Sequence, residues 1–539
     1  MLLSDLSALP DEYRDVDVLV MGSGAAGTVA ATRAAAGGQR VLLVEKAARL
    51  GGTTAAGGGV FWVPNNRLMR EAGWEDSDEA ATEYLRSVTE GHMSSEEIAW
   101  YLATGQRAVE WLSSATRVNV RPLGRPDYHG SAQGSRTGRG LDNAPFDPSP
   151  WEGLAEALRP PTYFPLISME ERDALGGAAP DPDLLAERAA QGIRTMGGAL
   201  AGSLLASAIE AGVPIVRRAP VRALARAADG RWDVELGEEQ QVTVRATDVV
   251  IASGGFEWNE HLRRTLLAFD VRPISAPSNE GDGFYLATAA GADVADSKAI
   301  WGVPVICPPD FRYDGVPGGR MGNVEMTLPG SVTVNSRGRR FINEALNYHD
   351  LTRVFGNVDP VTRTWANLPA WLIMDRTYIE RYPVAGSTPG EPPEWMASAP
   401  TLRKLAERIG VDPDGLENTV TAFNENARRG EDPEFHRGAS EEDRHLGDPT
   451  VGPNPCLAPL ERGPFYAVEV HPGVLGTAGG IRVNREGQVI GRGGEPIAGL
   501  WAAGNCSATA FHGAYPGGGA TLGSAIVRGF AVGEALASQ

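Results

Sequence analysis

The stretch VDVLVM at residues 16–21 is apolar at five of its six positions and runs straight into a glycine. A short apolar run bounded by a turn signal predicts a strand covered on both faces. The alanine-rich segment that follows predicts a helix to about Ala36, closed by Gly37 and Gly38, and VLLV at 41–44 predicts a second strand ending at Glu45. TDVVIASGGF (247–256) and GLWAAGNCS (499–507) repeat the theme of a strand running into glycine. From about Asp293 to Cys456 the pattern changes. SVTVNSRGRRFINEALNYHD, a Pro/Gly-rich loop at 383–400 and the helical run TLRKLAERIG lead to a helix carrying Leu416, Val420, Phe423 and Ala427 at helical spacing for core packing. At 512–525, HGAYPGGGATLGSA sets a tyrosine, a proline and three glycines before what reads as a short helix.

At 539 residues, two or three domains are expected. The 67 glycines and 38 prolines sit between apolar runs, so the chain reads as globular. A net charge of −19 argues against nucleic acid and anionic membrane as partners, and SRGRRF (336–341) reads as a turn between two strands. Three scattered cysteines with no C-x-x-C make disulfide frameworks and cluster or zinc sites unlooked for, and no metal is expected. The opening residues are too acidic for a secretion signal and no window is apolar enough to span a bilayer. A cytoplasmic protein is the plain expectation, with peripheral membrane association left open.

Gly22-Ser23-Gly24-Ala25-Ala26-Gly27 gives G-x-G-x-x-G between the first strand and helix, with Glu45 at the tip of the second strand. Gly22 permits the tight turn, Gly24 lets a pyrophosphate approach the backbone, and Gly27 lets helix and strand pack closely. Glu45 is placed to accept from both hydroxyls of a ribose. Strand, glycines, helix, strand and acid together predict a dinucleotide site. Six residues on lies GGTTAAGGG (51–59), a glycine–threonine loop suited to an extended pyrophosphate and ribityl chain.

With TDVVIASGGF, SNEGDGFYLATAAGA (278–292) and GLWAAGNCS, these features resemble the FAD-binding fold of the fumarate reductase flavoprotein superfamily. The resemblance implies an α/β chain with an α+β cap: a discontinuous Rossmann-like FAD-binding domain (1–292 and 457–539) with an inserted catalytic and capping domain (293–456). It assigns cofactor contacts to Gly22, Ser23, Gly24, Ala25, Ala26 and Gly27; to Glu45 and Lys46; and to Gly51, Gly52, Thr53, Thr54, Gly58 and Gly59. Val221, Ser253, Gly254, Asp282, Gly504, Asn505 and Leu522 complete the set. The loop at 51–59 lacks a histidine, which implies non-covalent FAD. MGGALAG (196–202) sits in a helical pattern, no second strand–GxGxxG–helix unit is present, and an external, quinone-like or other electron acceptor is implied.

Glycines before a helix start leave N–H groups uncovered and add partial positive charge, which suits an oxygen gaining negative charge. Over most of its length the chain resembles the 3-ketosteroid Δ1-dehydrogenases of steroid degradation, in GGTTAAGGGVFWVPNNRLMREAG, RPDYHGSAQGSRTGR, GRRFINEALNYHD, NPCLAPLERGPFYAVEVHPGVLGTAGGIRVN and AYPGGGATLGSA. The resemblance implies that the Tyr515 hydroxyl and the Gly519 N–H stabilise a ketone oxygen. Tyr348 takes the α-proton, with Tyr128 as its partner and relay, while flavin N5 takes the hydride. His512 is as readily a loop-satisfied residue as a substrate contact, and His129 and His349 adjoin the key tyrosines. Three alternatives stay open: a Δ4-dehydrogenase or other cyclic-ketone dehydrogenase, a fumarate-reductase-like dicarboxylate enzyme, and a non-catalytic flavin-fold protein. Against the dicarboxylate enzyme, Tyr515-Pro516 stands where a carboxylate-binding Asn-Arg is usual. One departure is Val474 in HPGVLGT, where the family usually has aspartate.

Overall fold

The computed structural model describes residues 1–175, 179–238 and 240–539. They divide into two units, one of Met1–Leu267, Ser275–Ile300 and Gly476–Gln539, the other of Ala268–Ile274 and Trp301–Leu475. The boundaries differ from those expected at 292 and 456. The long strand Phe465–Thr477, expected on the nucleotide side, pairs with Ala370–Met374, Ala397–Ala399 and Arg272–Pro273.

The first unit is built on a nine-stranded sheet. Its main path runs Leu2–Leu3, Ile215–Val216, Val41–Val44, Asp15–Met21, Val242–Ile251, Pro496–Ala502 and Gln488–Ile490. All neighbours on this path are parallel except the last pair. The continuous apolar run at 16–21 has a direct cause. Val18 and Val20 pack on one face against Ala30, Ala31 and Ala34 of the helix Ala25–Ala36. Leu19 and Met21 point to the other face and, with Val16 at the strand's start, join a second cluster with Val244, Val249 and Ile251. Each such fully buried side chain contributes about 1.5–3 kcal/mol relative to exposure.

The helix after the glycine turn runs through Ala520–Leu536, 17 residues, and is not short. Its glycines suppress helix propensity in isolation, but they are what packing requires. A Cβ on Gly529 would lie 2.5 Å from the Ala26 carbonyl oxygen, and one on Gly533 2.6 Å from the Arg33 Cβ. Residues 52–56, expected as part of a loop, form a helical turn, Gly52–Ala56, begun by Gly51 at φ +99°.

The second unit centres on a mostly antiparallel sheet of Arg320–Met321, Ile300–Ile306, Phe465–Thr477, Ala370–Met374 and Ser331–Val334. Strand alternation divides its core. Leu372, Met374, Val468 and Val470 pack with Leu351 and Phe355, while Ile373, Val332, Val334 and Ala467 face Leu405, Leu416, Val420 and Phe423. The helix Pro413–Ala427 buries Leu416, Val420, Phe423 and Ala427, as the spacing predicts. Among the described residues no helix is long and apolar enough to cross a membrane.

Candidate active site

The glycine motif lies between the strand Asp15–Met21 and the helix Ala25–Ala36, whose N-terminus has no side-chain cap. Gly27 is needed for close approach, since a Cβ there would lie 2.1 Å from the Gly22 carbonyl oxygen. Gly24 differs: its Cβ would meet only Thr54 Oγ1, at 3.6 Å, so the space before it is open. Thr54 Oγ1 accepts the Ala25 N–H at 3.0 Å, tying the second glycine segment to the helix start. Ser23 Oγ accepts from the Gly51 N–H at 2.9 Å and donates to Glu45 at 2.7 Å.

Glu45 therefore has more work than a ribose contact. It also accepts from the Ser23 and Ala47 N–H groups at 3.1 and 2.9 Å. A carboxylate has about four acceptor sites, so capacity for a further donor remains. Lys46 Nζ pairs with Asp282 at 2.5 Å and Glu280 at 2.8 Å; burial alone would depress its pKa, and these pairs raise it instead. Thr53 Oγ1 accepts from Asn279 at 2.8 Å.

A Cβ on Gly254 would strike Asn279, and one on Gly504 would come within 3.1 Å of Ala26 Cβ. Thr477 Oγ1 donates to the Asn505 carbonyl at 3.3 Å, Val221 opens the strand Val221–Arg226, and Leu522 lies in the first turn of Ala520–Leu536. Gly59 accepts from Asn143, and a Cβ on Gly58 would meet Met169 at 2.5 Å. The Ser253 hydroxyl is buried without a hydrogen-bond partner. An open glycine, a helix start with no side chain at its N-cap and an orphaned hydroxyl together fit an extended dinucleotide. Glu257, which the sequence reading missed, braces this region: fully buried, it accepts from Ser275, Asn279 and Thr477, and burial raises its pKa.

Three of the four residues assigned to chemistry meet in the first unit. Gly519, at φ +97°, precedes the helix Ala520–Leu536, whose start also lacks a side-chain cap. Its carbonyl accepts from the Trp62 N–H at 3.1 Å. Tyr515 is buried, accepts from Thr521 Oγ1 at 3.2 Å and stacks on Tyr128 with centroids 5.6 Å apart and planes 19° from parallel. Tyr84 Oη and the Tyr128 N–H both donate to the Pro516 carbonyl, the latter at 3.2 Å.

Behind this corner lies a charge network that no periodicity announces. Arg139 donates to both oxygens of Asp76, at 2.9 and 2.7 Å, and to Asp127 at 2.7 Å. Burial pushes the Asp127 carboxyl up to about 6; Arg139 pulls it back, and Asp76 adds to the rise. The sequence signal was slight: an aspartate beside Tyr128 and an arginine twelve residues on.

Tyr348 stands in the second unit, opening the helix Tyr348–Arg353 behind an Asn347 cap. Four residues earlier, Glu344 is fully buried, bonded to Arg340 at 2.9 and 2.6 Å and 3.4 Å from Arg437. Arg340 also grips Asp432 at 2.9 and 2.8 Å. SRGRRF is thus more than a turn between strands: the strand Ser331–Val334 is followed by a turn and a single bridge to Arg340, and that arginine is a buried hub. Val474, where the family usually has aspartate, is fully buried in the strand Phe465–Thr477, beside Pro273. His512 Nδ1 lies 3.0 Å from Asp296, which raises its pKa, and His349 Nδ1 accepts from the Gly302 N–H at 3.3 Å.

Residues 17–522 match the FAD binding domain family. The 4-oxocyclohexanecarboxylate 2-dehydrogenase of Sinomonas cyclohexanicum is 39% identical over 539 residues, covering 97% of this chain and 93% of its own. The 3-oxosteroid 1-dehydrogenase of Mycolicibacterium smegmatis is 34% identical over 561 residues, 96% of each chain. The crystal structure of 3-ketosteroid delta1-dehydrogenase from Sterolibacterium denitrificans, in complex with 1,4-androstadiene-3,17-dione, superposes with a TM-score of 0.90. It is 31% identical and covers 97% of this chain and 100% of that one. Cradle and matches agree: the chain belongs to the FAD binding domain family, in the company of 3-oxosteroid 1-dehydrogenases, and is an FAD-dependent oxidoreductase acting on CH–CH groups.

Proposed function

We propose that this protein removes two hydrogens from the carbon pair beside a ring ketone, and that the ketone is a 3-ketosteroid dehydrogenated in the 1,2 position. The observation that carries the reading is the donor corner of Tyr515 and Gly519. Both donors are neutral, the helix start behind them adds partial positive charge, and the turn 512–519 has no lysine or arginine. The buried guanidinium nearby, Arg139, is already taken by Asp76 and Asp127. A corner of this kind favours a carbonyl becoming an enolate over a carboxylate that arrives charged.

FAD, held by the glycine segments, Glu45 and the Ser253 region, supplies the hydride acceptor when bound. The rest falls to this chain. Tyr515 and the Gly519 N–H hold the ketone oxygen, which acidifies the neighbouring C–H; Tyr348 takes that proton and Tyr128 relays it. Tyrosine ordinarily titrates near 10, so the proton must be relayed or the phenol made more acidic for work near neutrality. An external acceptor, quinone-like or other, then takes the electrons.

A second reading keeps the chemistry and shrinks the substrate to a cyclohexanone carboxylate, favoured by the 39% identity to the Sinomonas enzyme. Anaerobic mixing separates them. Bleaching of the 450 nm flavin band by 4-androstene-3,17-dione, and not by 4-oxocyclohexanecarboxylate or succinate, is the expected result. Bleaching by the small ketone alone installs the second reading, and bleaching by succinate alone overturns both.

A further inference from the structure

Asp127 immediately precedes Tyr128 and is a meeting point of separate segments. Its Oδ1 accepts from Trp62 Nε1 at 2.8 Å, and its Oδ2 accepts from the Arg136 N–H at 3.0 Å and from Arg139 at 2.7 Å. The Trp62 ring in turn braces the tyrosine turn, since a Cβ on Gly517 would lie 2.6 Å from the indole. Tyr128 is bound to that same turn through the Pro516 carbonyl, and a Cβ on Gly518 would lie 3.3 Å from the Tyr128 hydroxyl. One carboxylate therefore fixes both partners of the stacked pair, Tyr128 from its own backbone and Tyr515 through Trp62.

We propose that Asp127 is a positioning residue that holds Tyr128 in register against Tyr515 through Trp62, Arg139 and Asp76. Its effect on turnover rests on the ketone-site reading above; the register is a property of the chain alone.

Three N–H donors converge on this carboxylate, so an oxygen that gains a hydrogen, or an amide nitrogen in its place, faces a donor with a donor. The charged groups facing it are Arg139 and Asp76, with the Tyr84 and Tyr128 phenols beyond. One guanidinium serves two carboxylates, leaving a net negative charge away from water. Burial, which Arg139 only partly offsets and to which Asp76 adds, raises the carboxyl to about 6, within reach of ordinary buffers. Protonation breaks at least one of the three bonds, and the pair it supports shifts.

The test uses full-length holoprotein with 3-fluorotyrosine at position 128, followed by fluorine NMR from pH 5 to 8. The expected result is a resonance that moves with a one-proton inflection near 6 and stays fixed in Asp127→Asn. With ordinary tyrosine, Asp127→Asn keeps its FAD and loses about 10- to 100-fold in kcat, the scale of a misplaced catalytic group. Its KM stays within about threefold. Trp62→Phe, which removes one donor from the charged form, moves the inflection upward. A resonance indifferent to pH in the parent, or an inflection that survives Asp127→Asn, overturns the proposal, as does FAD loss in proportion to lost turnover. Should Asp127→Asn fail to fold, the parent and Trp62→Phe titrations decide. If no ring ketone turns over while the inflection behaves as expected, the ketone reading falls and the positioning role stands.

Discussion

Each unit carries a buried arginine gripped by two carboxylates close to a tyrosine assigned to chemistry. In the first unit the set is Asp76, Arg139 and Asp127, directly before Tyr128; in the second it is Asp432, Arg340 and Glu344, four residues before Tyr348. Their acids behave oppositely. Burial raises the Asp127 carboxyl to about 6, whereas Glu344, equally buried, is held below its usual value by Arg340 and by Arg437. The difference is one guanidinium. The first set faces two acids with a single cation, and the second adds Arg437, which also donates to the carbonyls of Met326, Thr327, Leu328 and Ser331. Burial alone does not decide whether a carboxylate titrates in the working range; the count of partners does.

The largest effect falls on the balanced set. Arg340→Met strands Glu344 and Asp432, and should cost about 3–5 kcal/mol of stability by chemical denaturation. Arg139→Met should cost visibly less below pH 6 than above it, because Asp127 can take a proton. Next comes the proposed donor corner, where Tyr515→Phe should lower kcat by about 10²- to 10³-fold, the worth of one oxyanion donor, while FAD content holds.

Slightly smaller, and sharper as a comparison, is the pH dependence of stability. Asp127 has a folded pKa above its unfolded one, so its contribution is full below about 4 and is lost as pH rises through 6, by about 3 kcal/mol. Glu344 has a folded pKa below its unfolded one, so its contribution is present above the unfolded value and lost as pH falls. Asp127→Asn and Glu344→Gln should therefore change the slope of stability against pH in opposite directions; equal slopes would erase the contrast. The smallest effect is Thr54→Val, which deprives the Ala25 N–H of its acceptor and should cost about 1–3 kcal/mol, read as weaker FAD retention and a lower Tm.

The sequence made the nucleotide half of this picture readable because its signals are local. A strand, six residues of glycine motif and a helix succeed one another without a gap, and the corner at 515–519 is contiguous with the helix it begins. The charge networks were hidden for the opposite reason. Asp76 and Arg139 are 63 residues apart, Arg340 and Asp432 92, and only the fold brings them together. Arg340 was read as part of a turn between two strands because arginine is rarely buried unless paired, and one of its two carboxylate partners, Asp432, lies far along the chain. The strand around Val474 was hidden too, because proline and glycine directly precede that residue, yet thirteen residues there form one strand.

The packing of Gly529 and Gly533 against the helix Ala25–Ala36 also has a bearing on synthesis. The segment that carries the glycine motif finds this packing partner only about five hundred residues further along the chain, and its sheet gains Pro496–Ala502 scarcely earlier. Loading of the flavin should thus wait until the helix Ala520–Leu536 has been made, and a message stalled or shortened before it should yield colourless protein.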